Sequence, residues 1–140
     1  MNNLVQTANQ LSLKTKAITL KNIGFSYGEE RAVLTDINLD IAAGETVGLI
    51  GANGAGKTSL FLTICGILQP TYGEVRLFDR PIEAGQFNPE IGLVFQNPDD
   101  QLFCPTVRDD IAFGLENIDL SPEEVAVRID AALSLTGVTH

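Results

Sequence analysis

Residues 46–68 read TVGLIGANGAGKTSLFLTICGIL, and the pattern of the chain changes twice inside this stretch. TVGLIG, 46–51, is apolar at successive positions. A short unbroken run of that kind suits a parallel strand covered on both faces. Gly51 to Gly56 form a glycine-rich loop. From Lys57, KTSLFLTICGIL reads as a helix, and Gln69-Pro70 ends it because the residue before a proline is pushed out of the helical region. A buried strand, a loop and a helix in that order read as an α/β unit.

Within it, Gly51-Ala52-Asn53-Gly54-Ala55-Gly56-Lys57-Thr58 fits G-x-x-x-x-G-K-[ST], the Walker A pattern. Phosphate binding requires these residue types. Glycines let the backbone take positive φ and let a phosphate come close. Successive N–H groups then turn inward as an anion nest. The helix that starts near Lys57 adds the positive end of its dipole. Lys57 is the mobile cation that reaches the β- and γ-phosphates, Thr58 offers a hydroxyl to Mg²⁺, and Ser59 offers a further phosphate contact. The candidate nucleotide-binding residues of the loop are thus Gly51, Asn53, Gly54, Ala55, Gly56, Lys57, Thr58 and Ser59. The competing reading, a glycine-rich turn with a surface lysine, has no need of a buried strand before it or a helix after it.

Working outward, residues 1–16 are polar and aperiodic and read as a flexible N-terminal tail. AITLKNIGFSY, 17–27, alternates as Ile18/Leu20 and then as Ile23/Phe25/Tyr27. The parity change near Lys21-Asn22 predicts a bulge. DINLDIA, 36–42, alternates cleanly, with Ile37, Leu39 and Ile41 on one face and Asn38 and Asp40 on the other. With a turn at GEE, 28–30, these two segments make a half-exposed antiparallel pair. On the C-terminal side, GEVRLFD, 73–79, reads as a strand and IGLVFQ, 91–96, as a second two-sided apolar strand. Thr106 is placed to cap a short helix running to about Glu116, with Asp109 at its third position. Ser121-Pro122-Glu123-Glu124 combines a serine cap, proline at the first position and glutamate at the third. Val125, Ile129, Ala132 and Leu133 then follow at helical spacing.

The 140 residues suffice for one domain with a sizeable core, and 44% of them are hydrophobic. A formal net charge of −9 argues against a nucleic-acid surface, which needs clustered Lys and Arg. A single phosphate site is compatible with it, because such a site uses local backbone dipoles and one lysine. Apolar runs stay short of bilayer length, and MNNLVQTANQLSLKTK lacks the pattern of a secretory signal. Cys65 and Cys104 have no metal-ligand spacing and read as small reduced core residues. Asp99-Asp100 reads as a solvated loop or partner-facing surface rather than a catalytic pair.

GANGAGKTS resembles the ATP-binding loop of ABC-transporter ATPases, and the likeness runs from about Ala17 to Gly137. Tyr27, in GFSYG, matches the family's aromatic that stacks on adenine. Gln96, at the end of IGLVFQ, matches the glutamine that meets the Mg²⁺ and attacking-water region and senses the membrane partner. FQNPDDQLF, 95–103, followed by Thr106-Val107 and DIAFG, 110–114, is similar to the energy-coupling-factor subgroup, which imports cobalt, nickel or vitamins; the cobalt-type subunits are the nearest likeness. Lys-Thr-Ser stands where Lys-Ser-Thr is usual, with both hydroxyls kept. The resemblance implies a P-loop NTPase core of α/β class. It comprises an antiparallel β subdomain, part of a parallel sheet and the start of a helical subdomain, all within 17–140. It implies ATP and Mg²⁺ as cofactors, the latter met by Thr58 and Gln96. Its implied partners are a membrane transport component and a second ATP-binding subunit, at the cytoplasmic face of the membrane.

The family's later motifs do not occur in these residues: there is no LSGG-like run, and no four apolar residues precede Asp-Glu. The only histidine is His140, which is not the family's switch histidine. The expectation is therefore an incomplete domain that binds nucleotide weakly, does not hydrolyse it alone, and depends on a second polypeptide for its remaining strands. An autonomous, non-catalytic nucleotide-binding or regulatory fragment is the alternative. A different P-loop enzyme, such as a small-molecule kinase, gives no reason for the contexts of Tyr27 and Gln96.

Overall fold

The strand β1 (Lys16–Ser26) organises the sheet. It pairs antiparallel with β2 (Ala32–Ala42) on one side and β3 (Tyr72–Leu77) on the other. β3 returns as the two-residue β4 (Arg80–Pro81), so the sheet order is β2-β1-β3-β4. The computed structural model describes residues 15–28, 31–86, 88–97, 99, 101–116 and 118–138, which fall into two compact units dividing between Ile91 and Gly92. Residues 1–14 of the expected tail, 29–30 of the expected turn, Asp100 and His140 lie outside the described residues. Lys16, the last tail residue in the sequence reading, already opens β1, and its ammonium donates to Asp40 at 2.7 Å. That hydrogen bond holds the Asp40 carboxyl below its usual range.

The parity change is a bulge, as expected. Pairing runs from Leu20↔Leu39 to Ile23↔Ile37, so β1 carries one extra residue there. Asn22 sits at φ 49, and its N–H donates to the Asn38 side chain at 2.9 Å. A side chain thus satisfies the donor that the bulge removes from the ladder. β2 has its own irregularity between Ile37 and Leu34, where Asp36 takes φ 52. This is why alternation located only 36–42: the bulge reverses parity, and the strand in fact begins at Ala32. Ile37, Leu39 and Ile41 are half-buried while Asn38 and Asp40 are exposed, as the alternation requires.

β3 stops at Leu77, short of the expected Asp79. Phe78 and Asp79 both have positive φ, 46° and 63°, and Leu77 pairs with Arg80. A two-residue turn of this hand matches the twist of a hairpin, and without Asn-Gly at the corner the sequence concealed it. The helix α1 (Lys57–Ile64) also ends early. Gly66 adopts φ 72, Ile67 N–H bonds Leu62 C=O at 2.9 Å and Gly66 N–H bonds Thr63 C=O at 3.1 Å. That pairing is a glycine-terminated helix end, and it acts before the proline can.

The core of this unit lies between α1 and the sheet. Leu20, Ile23, Phe25, Leu34 and Val75 from the strands enclose Leu60 and Ile64 from the helix. Thr63 is buried with them, and its hydroxyl donates to Ser59 C=O at 2.8 Å, which removes the penalty of an unpaired buried donor.

Segments 46–51 and 91–96 correct the sequence reading, since neither carries strand pairing. Val47 and Leu49 are exposed and Ile50 is 93% exposed; in the other unit Val94 is 83% exposed. A two-sided apolar strand needs a ladder on each edge and cover on each face, and no described residue supplies a ladder to either segment.

In the unit from Gly92 onward, α2 (Val107–Glu116) and α3 (Pro122–Thr136) start as expected. Thr106 Oγ1 accepts from Asp109 N–H at 3.1 Å and donates to its carboxylate at 2.7 Å. Ser121 and Glu124 form a reciprocal capping box, 3.3 Å and 2.9 Å. Ile129 is buried, with Val125, Ala132 and Leu133 half-buried. Arg108 on α2 is ion-paired with Asp130 on α3.

Candidate functional site

The loop between 46–51 and α1 builds an anion cradle from backbone. Gly54 and Gly56 take φ 79 and 89. At Gly56 a side chain is disfavoured twice: by that φ, and because a Cβ would lie in tight contact, 3.1 Å, with both Val33 C=O and Leu34 Cδ2. The loop is therefore seated directly on β2. Gly56 is also the N-cap of α1, and no side chain caps it. The first bond of the helix is Leu60 N–H to Gly56 C=O, 2.9 Å. The preceding N–H groups at Lys57, Thr58 and Ser59 thus have no helical carbonyl to meet. Uncapped donors at the positive end of a helix attract an anion.

Lys57 Nζ lies 2.8 Å from Gly51 C=O and 2.8 Å from Ala52 C=O. Two of the three ammonium donors hold the loop closed and one remains. Asn53, Gly54, Ala55 and Thr58 are exposed along the same loop. Thr58 is therefore accessible for an ion carried in with a phosphate. Among the described residues no cluster of His, Cys, Asp or Glu is suited to hold a metal by itself. A Mg²⁺ ion here would take most of its oxygens from phosphate and water, as that ion does with nucleotides. The residues fit a Mg-nucleotide: the first N–H groups of α1 are uncapped, Lys57 keeps one ammonium donor beyond its two loop carbonyls, and the Thr58 hydroxyl belongs to an exposed residue.

Tyr27 and Ser59 are brought together, and sequence reasoning did not foresee it. Their hydroxyls are 3.2 Å apart. Ser59 is 6% exposed, whereas Tyr27 is 62% exposed and rests edge-on against Phe25, with ring centroids 4.7 Å apart at 86°. The Ser59 hydroxyl is thus engaged with Tyr27, while the Ser59 backbone N–H has no helical carbonyl to meet. A second addition is Arg31, which lines an open cleft of about 300 Å³ with Ala32, Val33, Gly54 and Ala55. In a chain of only 9 basic residues, one four positions after the candidate base-stacking tyrosine was the available signal.

Gln96 belongs to the other unit, exposed at a bend after residues 91–95, which adopt no regular secondary structure. Gln101 braces that segment with two long bonds, from Phe95 N–H at 3.3 Å and to Leu93 C=O at 3.5 Å. Asp110 accepts from Cys104 N–H at 3.0 Å and so ties the following loop to α2. Asp99 is exposed. Cys65 and Cys104 are half-buried rather than core residues, and burial pushes the Cys65 thiol up.

A glycine-rich loop between an apolar segment and an uncapped helix start, beside an antiparallel sheet followed by an exposed tyrosine, has a defined class. The chain belongs to the ABC transporter family, whose model matches residues 34–140. Among proteins of that family it is similar to those of energy-coupling-factor type. It is 46% identical over 126 residues to the energy-coupling factor transporter ATP-binding protein EcfA of Methanocaldococcus jannaschii, covering 86% of this chain and 45% of that one. It is 44% identical to EcfA1 of Leuconostoc mesenteroides, covering 88% and 46%. Among solved structures, CbiO1 from Clostridium perfringens, part of the ABC transporter complex CbiONQ, superposes with a TM-score of 0.75 at 34% identity. That superposition covers 90% of this chain and 52% of CbiO1. The chain spans about half the length of the curated relatives it matches.

Proposed function

We propose that this chain is the ATP-binding portion of an energy-coupling-factor transporter ATPase that powers uptake of a metal ion (cobalt or nickel) or a vitamin. The observation that carries the reading is the uncapped start of α1 beneath Gly54 and Gly56, with Lys57 held on the Gly51 and Ala52 carbonyls. In this reading the loop N–H groups and Lys57 hold the triphosphate. Thr58 would hold Mg²⁺, which would supply charge neutralisation to the phosphates. Tyr27 stacks on the base, and Gln96 serves the metal, the attacking water and communication with the membrane component. The EcfA names and the CbiONQ assembly support a membrane partner, a second ATP-binding subunit and a peripheral location at the cytoplasmic face. No helix among the described residues is long and apolar enough to cross a membrane.

Hydrolysis needs a positioned water as well as a phosphate cradle. The 140 residues are therefore expected to bind MgATP weakly and to leave it intact. The experiment is calorimetric titration with MgATP, followed by phosphate-release assays with and without a polypeptide carrying an LSGG signature and a Walker B strand. Binding alone, with turnover only in the mixture, is the expected result. Sustained hydrolysis by the chain alone refutes the reading, and binding with no turnover in any mixture favours a non-catalytic regulatory role.

A further inference from the structure

We propose that Ser59 is a positioning residue for Tyr27, holding its ring as a pre-set platform for the nucleobase. This rests on the nucleotide-site reading above and deepens it. An exposed tyrosine at a strand end ordinarily samples several rotamers. Tyr27 is held at two points instead. The edge contact with Phe25 fixes the ring's side at 4.7 Å between centroids, and the Ser59 hydroxyl meets the phenol at 3.2 Å.

Ser59 is well suited to the task. It is 6% exposed and lies in the first turn of α1, two residues after Lys57. Its own carbonyl receives the Thr63 hydroxyl at 2.8 Å. The same turn that offers N–H groups to the phosphates thereby sets the orientation of the aromatic face. Fixing a recognition surface before the ligand arrives removes the ordering cost from binding. The contribution concerns only the base, because tripolyphosphate has nothing to stack.

The test compares MgATP with magnesium tripolyphosphate on the unaltered chain, on Ser59→Ala, on Tyr27→Phe and on the double variant. Tyr27→Phe keeps the ring of a largely exposed residue and removes only its hydroxyl, so it guards against a folding defect in Ser59→Ala. Each single variant is expected to weaken MgATP about threefold, the scale of one part-buried neutral hydrogen bond. Each is expected to shift tripolyphosphate by under about 1.5-fold, and the double variant should lose no more than either single one. Equal losses for both ligands, additive losses, or no loss of MgATP affinity in Tyr27→Phe overturn the proposal while leaving the phosphate site standing. Failure of the unaltered chain to bind either ligand overturns the site reading and this proposal together.

Discussion

Replacing Lys57 by methionine separates the phosphate site from the fold. Methionine keeps most of the length of the lysine stem and removes the ammonium. The two carbonyls that lose their donor belong to Gly51 and Ala52, both exposed, so water replaces it and the loop pays little in stability. The loss in binding is larger. A charge-assisted hydrogen bond to phosphate is worth about 1.5–3 kcal/mol. Part is offset in the intact chain, because Nζ must share or release its carbonyl bonds, at about 1 kcal/mol, when the ligand arrives. The net change is about 0.5–2 kcal/mol, roughly a 2- to 30-fold weaker Kd for MgATP. Calorimetric titration measures it, with far-UV circular dichroism as the control for folding. An affinity within about twofold of the unaltered chain would refute the idea that Lys57 meets the phosphates and return it to a loop-closing role.

Gly56→Ala is expected to abolish binding and to destabilise the first unit by about 2–3 kcal/mol, combining the left-handed backbone with overpacking against Val33 and Leu34; chemical denaturation of a complex containing the chain measures it. The capping box gives a pH signature. Backbone and then hydroxyl bonds from Ser121 hold the Glu124 carboxyl below the ordinary glutamate range. Its support for α3 is therefore complete above that range and is lost as pH falls through the depressed folded value. Hydrogen exchange at the start of α3 should accelerate over that acid interval, and Glu124→Gln, which removes the titrating carboxylate, should abolish the pH dependence. Finally, the exposed apolar run at Val47, Leu49 and Ile50 predicts that the purified 140-residue chain self-associates, and that Ile50→Lys reduces this in sedimentation velocity. A cooperative, monomeric unfolding transition of the unaltered chain would contradict it.

The glycine-rich loop and the helix start after it were legible because their requirements are local. Glycine spacing, an adjacent lysine and a following helix all lie within nine residues, and backbone geometry follows from them. Both helix starts, at Thr106 and Ser121, were legible for the same reason, as was the bulge at Asn22, where alternation changes parity. The early end of α1 at Gly66 was also local, but the nearby Gln69-Pro70 offered a competing stop signal. The Phe78-Asp79 hairpin carried no glycine to betray its positive φ.

What the residue order could not decide was contact between segments distant in the chain. The Tyr27–Ser59 bond spans 32 positions, and no periodicity reports that two hydroxyls will meet when α1 packs on the sheet. Nor does an apolar run carry its own partners. TVGLI and IGLVF have the composition of buried strands, yet pairing depends on whichever other segments reach their edges. Local propensity therefore determined the cradle and the helix caps. Only the tertiary structure decided that β2 seats the loop through Gly56, that the Ser59 hydroxyl meets that of Tyr27, and that residues 46–51 lie without a ladder among the described residues.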